Sequence, residues 1–213
     1  MKQKTHPIGL QLGAGEIPTS ITNKIHGVEW IHSDVDLEFQ PDVIANAAGI
    51  PLPDESVDIV FADNVLEHVF DLAKSVAEIQ RVLKPRGLAA IGIPFLYPFH
   101  GIPYDFTRLT PCGLRANFNQ TENLFLSRDS GAFVALALQL DARLVNAFQK
   151  KSLRGMATVA SRLLFSNLKH LDRIYTSKRH ISTAAALLYI GRRSERVFSP
   201  QEIMQELHQL YQV

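Results

Sequence analysis

Four short polar signals stand along the first third of this chain, each just after an apolar run. The first is Gly13-Ala14-Gly15. Glycines accept positive φ and let a backbone approach a ligand closely. The second is Asp34, a carboxylate able to accept hydrogen bonds from both hydroxyls of a ribose. Asp36 is its alternative, and a solvated loop carboxylate is the plain reading of either. The third is Asn46, whose amide offers a donor and an acceptor, as an adenine edge requires, or forms an ordinary turn. The fourth is the pair Asp63 and Asn64. A lone G-x-G is weak, because most are only turns; the four together are informative if one sheet edge collects them.

The elements that would collect them are legible. Apolar runs at 8–12, 28–33, 42–45, 57–62 and 88–93 read as buried strands, with an amphipathic helix from Asp71 through Leu72, Val76, Ile79 and Leu83. Lys84-Pro85-Arg86-Gly87 reads as that helix's stop. Strands alternating with crossovers predict a parallel sheet, with its ligand crevice beyond the strands' carboxyl ends. All four signals fall there. Thr110-Pro111 predicts a capped helix to Phe118, 124–128 and 184–190 predict the last strands, and Ser199-Pro200-Gln201-Glu202 is a capping box before a final helix. Two helices are predicted near 132–149 and 153–174.

These motifs resemble those of class I S-adenosylmethionine-dependent methyltransferases. Asp42 to Val60, with Leu52-Pro53-Asp54-Glu55-Ser56-Val57-Asp58 at its centre, is similar to their third-to-fourth-strand segment. Asn64-Val65-Leu66-Glu67-His68 resembles their Val-Leu-Glu-His segment, and Arg81-Val82-Leu83-Lys84-Pro85-Arg86-Gly87 the turn before their fifth strand. The resemblance covers about residues 8–95. It implies an α/β, Rossmann-like, mostly parallel methyltransferase sheet, here with a helical insertion before the last strand. It also implies S-adenosylmethionine as cofactor, with Gly13 and Gly15 at the methionine part, Asp34 at the ribose, and Asn46 with the Ala47 backbone at the adenine. Asp63 and Asn64 complete the expected cofactor set. Gln11 stands where the family usually has an acid, Ile17 where it has a third glycine, and the first crossover is short and broken by Pro18.

Methyl transfer to oxygen or nitrogen asks a protein to position the acceptor and sometimes to remove its proton. The loop from Tyr97 to Arg108 carries suitable groups: His100 as base, Asp105 as its orienter, and Tyr104 or Arg108 as acceptor contacts. An Asp105–Arg108 ion pair that merely fixes the loop is the competing reading. Some relatives bind a divalent metal through Glu-x-x-Glu-His. With Asn64 in place of the first glutamate the ligands are too few, so no metal is expected, and Glu67 is read as hydrogen-bonded locally.

The 213 residues are enough for one domain with a full core. Reading by segment, 1–131 is the cofactor-binding core, 132–180 a basic helical insertion, and 181–213 the last core strand and a terminal helix. Residues 1–140 hold 10 Lys/Arg and 16 Asp/Glu, whereas 141–196 hold 12 against 3, so a basic region is grafted onto an acidic domain. The first inserted helix is apolar nearly all round and is expected to be buried. The second puts Leu153, Met156, Ala160, Leu163, Leu164, Leu168 and Leu171 on one face, opposite Arg154, Arg162, Lys169 and Arg173. Together they suggest a lid over the acceptor pocket or an element lying on an anionic membrane. Nucleic-acid binding is not expected, since aromatics do not interleave the basic stretch. A single cysteine and no apolar leader or span point to a cytoplasmic protein, peripheral to the membrane at most. The acceptor is expected to be a hydroxyl of a small molecule, a glycan or a lipid-linked compound. A methyltransferase-like binding protein without turnover and a nicotinamide-dependent oxidoreductase are the alternatives. The Leu-Pro-Asp-Glu-Ser-Val-Asp segment speaks against the last.

Overall fold

The computed structural model describes residues 6–16, 20–174 and 180–211. Seven strands form one sheet: β1 (Ile8–Leu12), β2 (Glu29–Asp34), β3 (Val43–Ile44), β4 (Val57–Asp63), β5 (Leu83–Pro94), β6 (Thr121–Ser130) and β7 (Ala186–Arg193). Their order is β3-β2-β1-β4-β5-β7-β6. The first five are parallel, and β7 runs antiparallel to both β5 and β6. β6 therefore points the same way as β5. Apolar β1, β4 and β5 occupy the middle, where Leu10, Val60, Ala89 and Ile91 are fully buried. Continuous apolar runs are what a strand covered on both faces needs.

Helix α1 (Leu72–Val82) starts where Asp71 accepts the Lys74 N–H and buries Val76 and Ile79. It stops before Leu83, two residues earlier than the Pro-Gly signal, because Leu83 already pairs with Val57 as the first residue of β5. Helix α2 (Pro111–Asn117) has the expected Thr110 cap, and α5 (Pro200–Tyr211) the reciprocal Ser199–Glu202 capping box. These two helices are joined by Arg115. Its guanidinium is fully buried, grips the Glu206 carboxylate with two nitrogens at 2.9 Å, and donates to the Phe118 carbonyl at 3.0 Å.

Two expectations about the insertion fail. Helix α3 (Ala132–Asn146) buries only Ala135, and the rest of its apolar surface is half-exposed or exposed. Helix α4 (Lys151–Phe165) ends short of 174 and continues as a 3-10 segment, Ser166–Arg173. The tighter segment returns Asp172 to the start of α3, where Gly131 has no side chain to serve as cap. The Asp172 carboxylate accepts the Phe133 and Val134 N–H groups, each at 3.0 Å. A carboxylate there satisfies orphan donors and complements the helix dipole.

Candidate functional site

The carboxyl ends of β1, β2, β3 and β4 open onto a cavity of about 570 Å³. Leu12 and Gly13 line it from β1, Asp34 and Val35 from β2, Ala45, Asn46 and Ala47 from β3, and Val65, His68, Val69 and Phe70 from the segment after β4. Tyr104 and Phe106 cover it from the 97–108 loop. That loop is pinned there by backbone: the Glu67 carbonyl accepts the N–H groups of Phe106 at 2.8 Å and Thr107 at 3.3 Å.

Gly13 turns at φ +61°, and a β-carbon on it would stand 2.5 Å from Val65 Cγ2. The position needs glycine on both counts. Asp34 is 8% exposed. Its carboxylate accepts the Gly15 N–H at 2.9 Å and the Asp36 N–H at 3.0 Å, which makes Asp34, not Asp36, the acid at the cavity wall. Asp36 is turned to another task, capping the 3-10 turn Leu37–Phe39. Asn46 borders the cavity, and its Oδ1 accepts the Ala48 N–H at 2.9 Å, the bond of an ordinary asparagine turn.

Asp63 and Asn64 lie at the predicted strand end but outside the cavity lining. Asp63 leans on β5, where Gly92 leaves room for its Oδ1, and accepts the Asn64 Nδ2 at 3.1 Å. Burial, with the Asp129 charge nearby, pushes its carboxyl above the usual range. Val65 and His68 take the cavity-facing places instead. Gln11 is buried, and its side-chain oxygen accepts the hydroxyls of Ser20 and Thr22, both at 2.6 Å. It anchors the short first crossover, which within the described residues holds only the 3-10 turn Ile21–Lys24. The departures expected at Ile17 and Pro18 lie outside the described residues.

Behind the Tyr104 wall the loop's polar groups form a second cluster. Asp105 accepts the His100 backbone N–H at 2.8 Å, and Arg108 holds both of its oxygens. Those Arg108 hydrogen bonds, opposed by burial, set the Asp105 carboxyl down to about 2. The ion pair that fixes the loop is thus present, and Asp105 orients the His100 backbone; the ring Nδ1 lies 3.5 Å from its carboxylate. Arg108 Nη2 stands 3.2 Å from that Nδ1, and the Pro98 carbonyl 3.3 Å from it. His100 meets His68 edge-on at 5.1 Å, and it is His68 that reaches the cavity, with its Nδ1 on the Tyr104 carbonyl.

Glu67 sits beneath both rings, fully buried. Its own backbone N–H is the local contact it has, and among the described residues neither carboxylate oxygen has a side-chain hydrogen-bond partner. Its Oε1 lies 3.7 Å from His68 Nε2 and 3.8 Å from His100 Nε2. Burial raises its carboxyl above the ordinary glutamate range, against the pull of His68 and Arg108. Three donor atoms within 4.8 Å of one another could share a proton or hold one divalent cation. His100, distant in sequence, is the third donor that counting within Asn64–His68 left out.

Comparison with known proteins agrees with this arrangement. The methyltransferase domain family matches residues 18–91. A probable S-adenosylmethionine-dependent methyltransferase of Mycolicibacterium smegmatis is 34% identical over 109 residues, covering 46% of this chain and 40% of the relative. One of Mycobacterium tuberculosis is 39% identical over 94 residues, covering 44% and 33%. The chain thus spans two fifths or less of the length of these curated relatives. Among solved structures, a putative sarcosine dimethylglycine methyltransferase of Galdieria sulphuraria superposes with TM-score 0.58 at 17% identity, covering 90% of this chain and 80% of that one. A phosphoethanolamine N-methyltransferase of Haemonchus contortus, in complex with S-adenosyl-L-methionine, gives 0.58 at 13%, covering 91% and 50%. The ordered strand-end motifs and the seven-stranded sheet order agree with these likenesses: residues 18–91 are similar to the methyltransferase domain family, and the chain has the Rossmann-like fold of class I methyltransferases.

Proposed function

We propose that this protein binds S-adenosylmethionine in the strand-end cavity and methylates a hydroxyl of a small molecule, a glycan or a lipid-linked acceptor. One observation carries the reading: a nearly buried carboxylate at the end of β2, a positive-φ glycine after β1 and the Asn46-Ala47 turn after β3 all face one cavity. The residues fit the cofactor's parts. Asp34 would take the ribose hydroxyls, Asn46 and Ala47 the adenine, and Gly13 the methionine portion, where Val65 leaves space only for a bare backbone.

The cofactor, when bound, supplies a methyl group already activated on a sulfonium. The protein's share is then to position the acceptor and, for a hydroxyl, to take one proton. We assign that proton to His68 rather than to His100, because His68 lines the cavity and His100 stands behind it. With Nδ1–H donated to the Tyr104 carbonyl, His68 Nε2 is left as the acceptor, beside Glu67. Phe70, 88% exposed, and Phe106 meet edge-on at 5.5 Å at the mouth, an apolar seat for the acceptor's carrier.

Calorimetric titration tests the reading. S-adenosylhomocysteine should bind and raise the melting temperature, by about 2.7 kcal/mol of stabilisation at a hundred times the dissociation constant. NAD should do neither. Flat titrations with both S-adenosyl ligands at millimolar concentration would sink it. Binding without turnover is the second reading, favoured by Gln11, whose oxygen is occupied by Ser20 and Thr22. Conversion of S-adenosylmethionine to S-adenosylhomocysteine across a panel of hydroxyl acceptors separates the two.

A further inference from the structure

The second helix of the insertion turns its apolar side outward. On α4 the residues buried against the molecule are small, Ala157 and Ser161, and the Ser161 hydroxyl meets the Asp141 carboxylate of α3. The large apolar side chains lie elsewhere on the wheel. Leu153, Met156, Val159, Leu163 and Leu164 span an arc of about 140° that starts beside Ala157 and runs round to the far side of the helix. Met156 is 69% exposed, Leu163 75% and Leu164 65%. An amphipathic surface helix ordinarily buries this stripe on its own domain. Here it does the reverse, and an apolar face of that kind marks an interaction site.

The charges around it state the partner's chemistry. Every Lys and Arg between 141 and 174 is exposed. Lys151, Arg154 and Arg162 lie on α4 along one side of the stripe, between Ser161 and Val159 on the wheel, and Lys169 and Arg173 follow on the 3-10 segment. Both acids of the stretch are turned inward, Asp141 onto Ser161 and Asp172 onto the start of α3. The outer face is therefore apolar and cationic together. A second copy of this face would bring like charges into register, which disfavours self-association.

We propose that α4 and the segment after it seat the protein on an anionic lipid surface. The Met-Val-Leu stripe enters the acyl boundary and the cations beside it lie among lipid phosphates. The insertion leaves the sheet at Ser130, the carboxyl end of β6. β6 is parallel to β5, so this is the sheet edge that carries the cavity. The attachment does not depend on the methyl-transfer reading.

Flotation of the full chain with vesicles tests it, using phosphatidylcholine alone and phosphatidylcholine mixed with phosphatidylglycerol. The wild type should float with the anionic vesicles, stay down with the neutral ones, and lose flotation as salt rises. Two variants should abolish it: Met156→Ser/Val159→Ser/Leu163→Ser, and Arg154→Gln/Arg162→Gln/Lys169→Gln/Arg173→Gln. The second should weaken partitioning on the order of 100-fold or more. Circular dichroism checks that both fold, and Leu163→Ser alone replaces the triple variant if that one does not. A wild type that never floats with anionic vesicles at low salt overturns the proposal. So does flotation equal on neutral vesicles, or undiminished in the folded variants. A wild-type dimer that the serine variant dissolves, without flotation, would assign the face to pairing of copies. S-adenosylhomocysteine titration of the same samples reports separately on the cavity.

Discussion

The Asp34 carboxylate accepts the Gly15 N–H at 2.9 Å, so the acid that faces the cavity also ties the end of β2 to the glycine turn after β1. Asp34→Ala should cut that tie and remove the ribose acceptor together, weakening S-adenosylhomocysteine binding by about 1.5–3 kcal/mol. Asp36→Ala removes only a cap on an exposed turn and should leave affinity nearly unchanged. Titrations of the two variants that gave equal affinities would reassign the ribose contact.

Gly13→Ala should be worse than its single added carbon suggests. Positive φ costs a non-glycine residue about 1–2 kcal/mol, and the new β-carbon would press on Val65. Lower thermal stability and a loss of cofactor affinity should appear together. An alanine variant that binds normally would show that the turn has room to relax.

Glu206→Ala should destabilise the protein by about 3–5 kcal/mol, because it strands the buried Arg115 guanidinium. Chemical denaturation measures it. The double change Arg115→Met/Glu206→Leu should recover much of the loss, since an apolar pair leaves no buried charge alone.

Glu67 predicts a pH dependence. Its raised carboxyl keeps a proton in the folded protein where the unfolded chain has already lost it, so stability falls as pH rises through that range. Glu67→Gln does not titrate. Its melting temperature should therefore gain on the wild type from acid toward neutral pH, by on the order of several °C. A constant offset would mean that Glu67 titrates normally.

His68→Gln should lower turnover roughly a hundredfold on whichever hydroxyl acceptor gives activity, with cofactor affinity preserved. His100→Gln should have the smaller effect. The opposite ranking would return the base to His100.

All seven strands have a counterpart among the apolar runs of the sequence, although β5 begins at Leu83, five residues before the run at 88–93, and crossovers account for the parallel pairing of the first five but not for antiparallel β7. Gly13, Asp34, Asn46 and Ala47 were legible by the same logic, since a strand's end fixes where the next residue stands. Which way a side chain turns after that end was not. Asp63 leans on β5 because Gly92 makes room 29 positions later. His68 reaches the cavity because the 97–108 loop folds back onto Glu67. Arg115 and Glu206, 91 residues apart, carry no local signal of their pairing. The outward stripe of α4 had the right period and the opposite orientation. Periodicity identifies an apolar face without saying what it meets.

The Ala185 N–H donates to the Ser130 carbonyl at 3.0 Å, so the chain leaves the sheet after β6 and returns to the same spot before β7. Asp172 fastens the far side of the excursion to its own beginning. The insertion is thus a self-closed cassette whose two ends already sit a hairpin's width apart. The sheet does not depend on its length. Such a joint lets this stretch be exchanged for another, or trimmed to a tight turn, while the seven strands keep their register, so where the protein attaches can evolve separately from what its cavity holds.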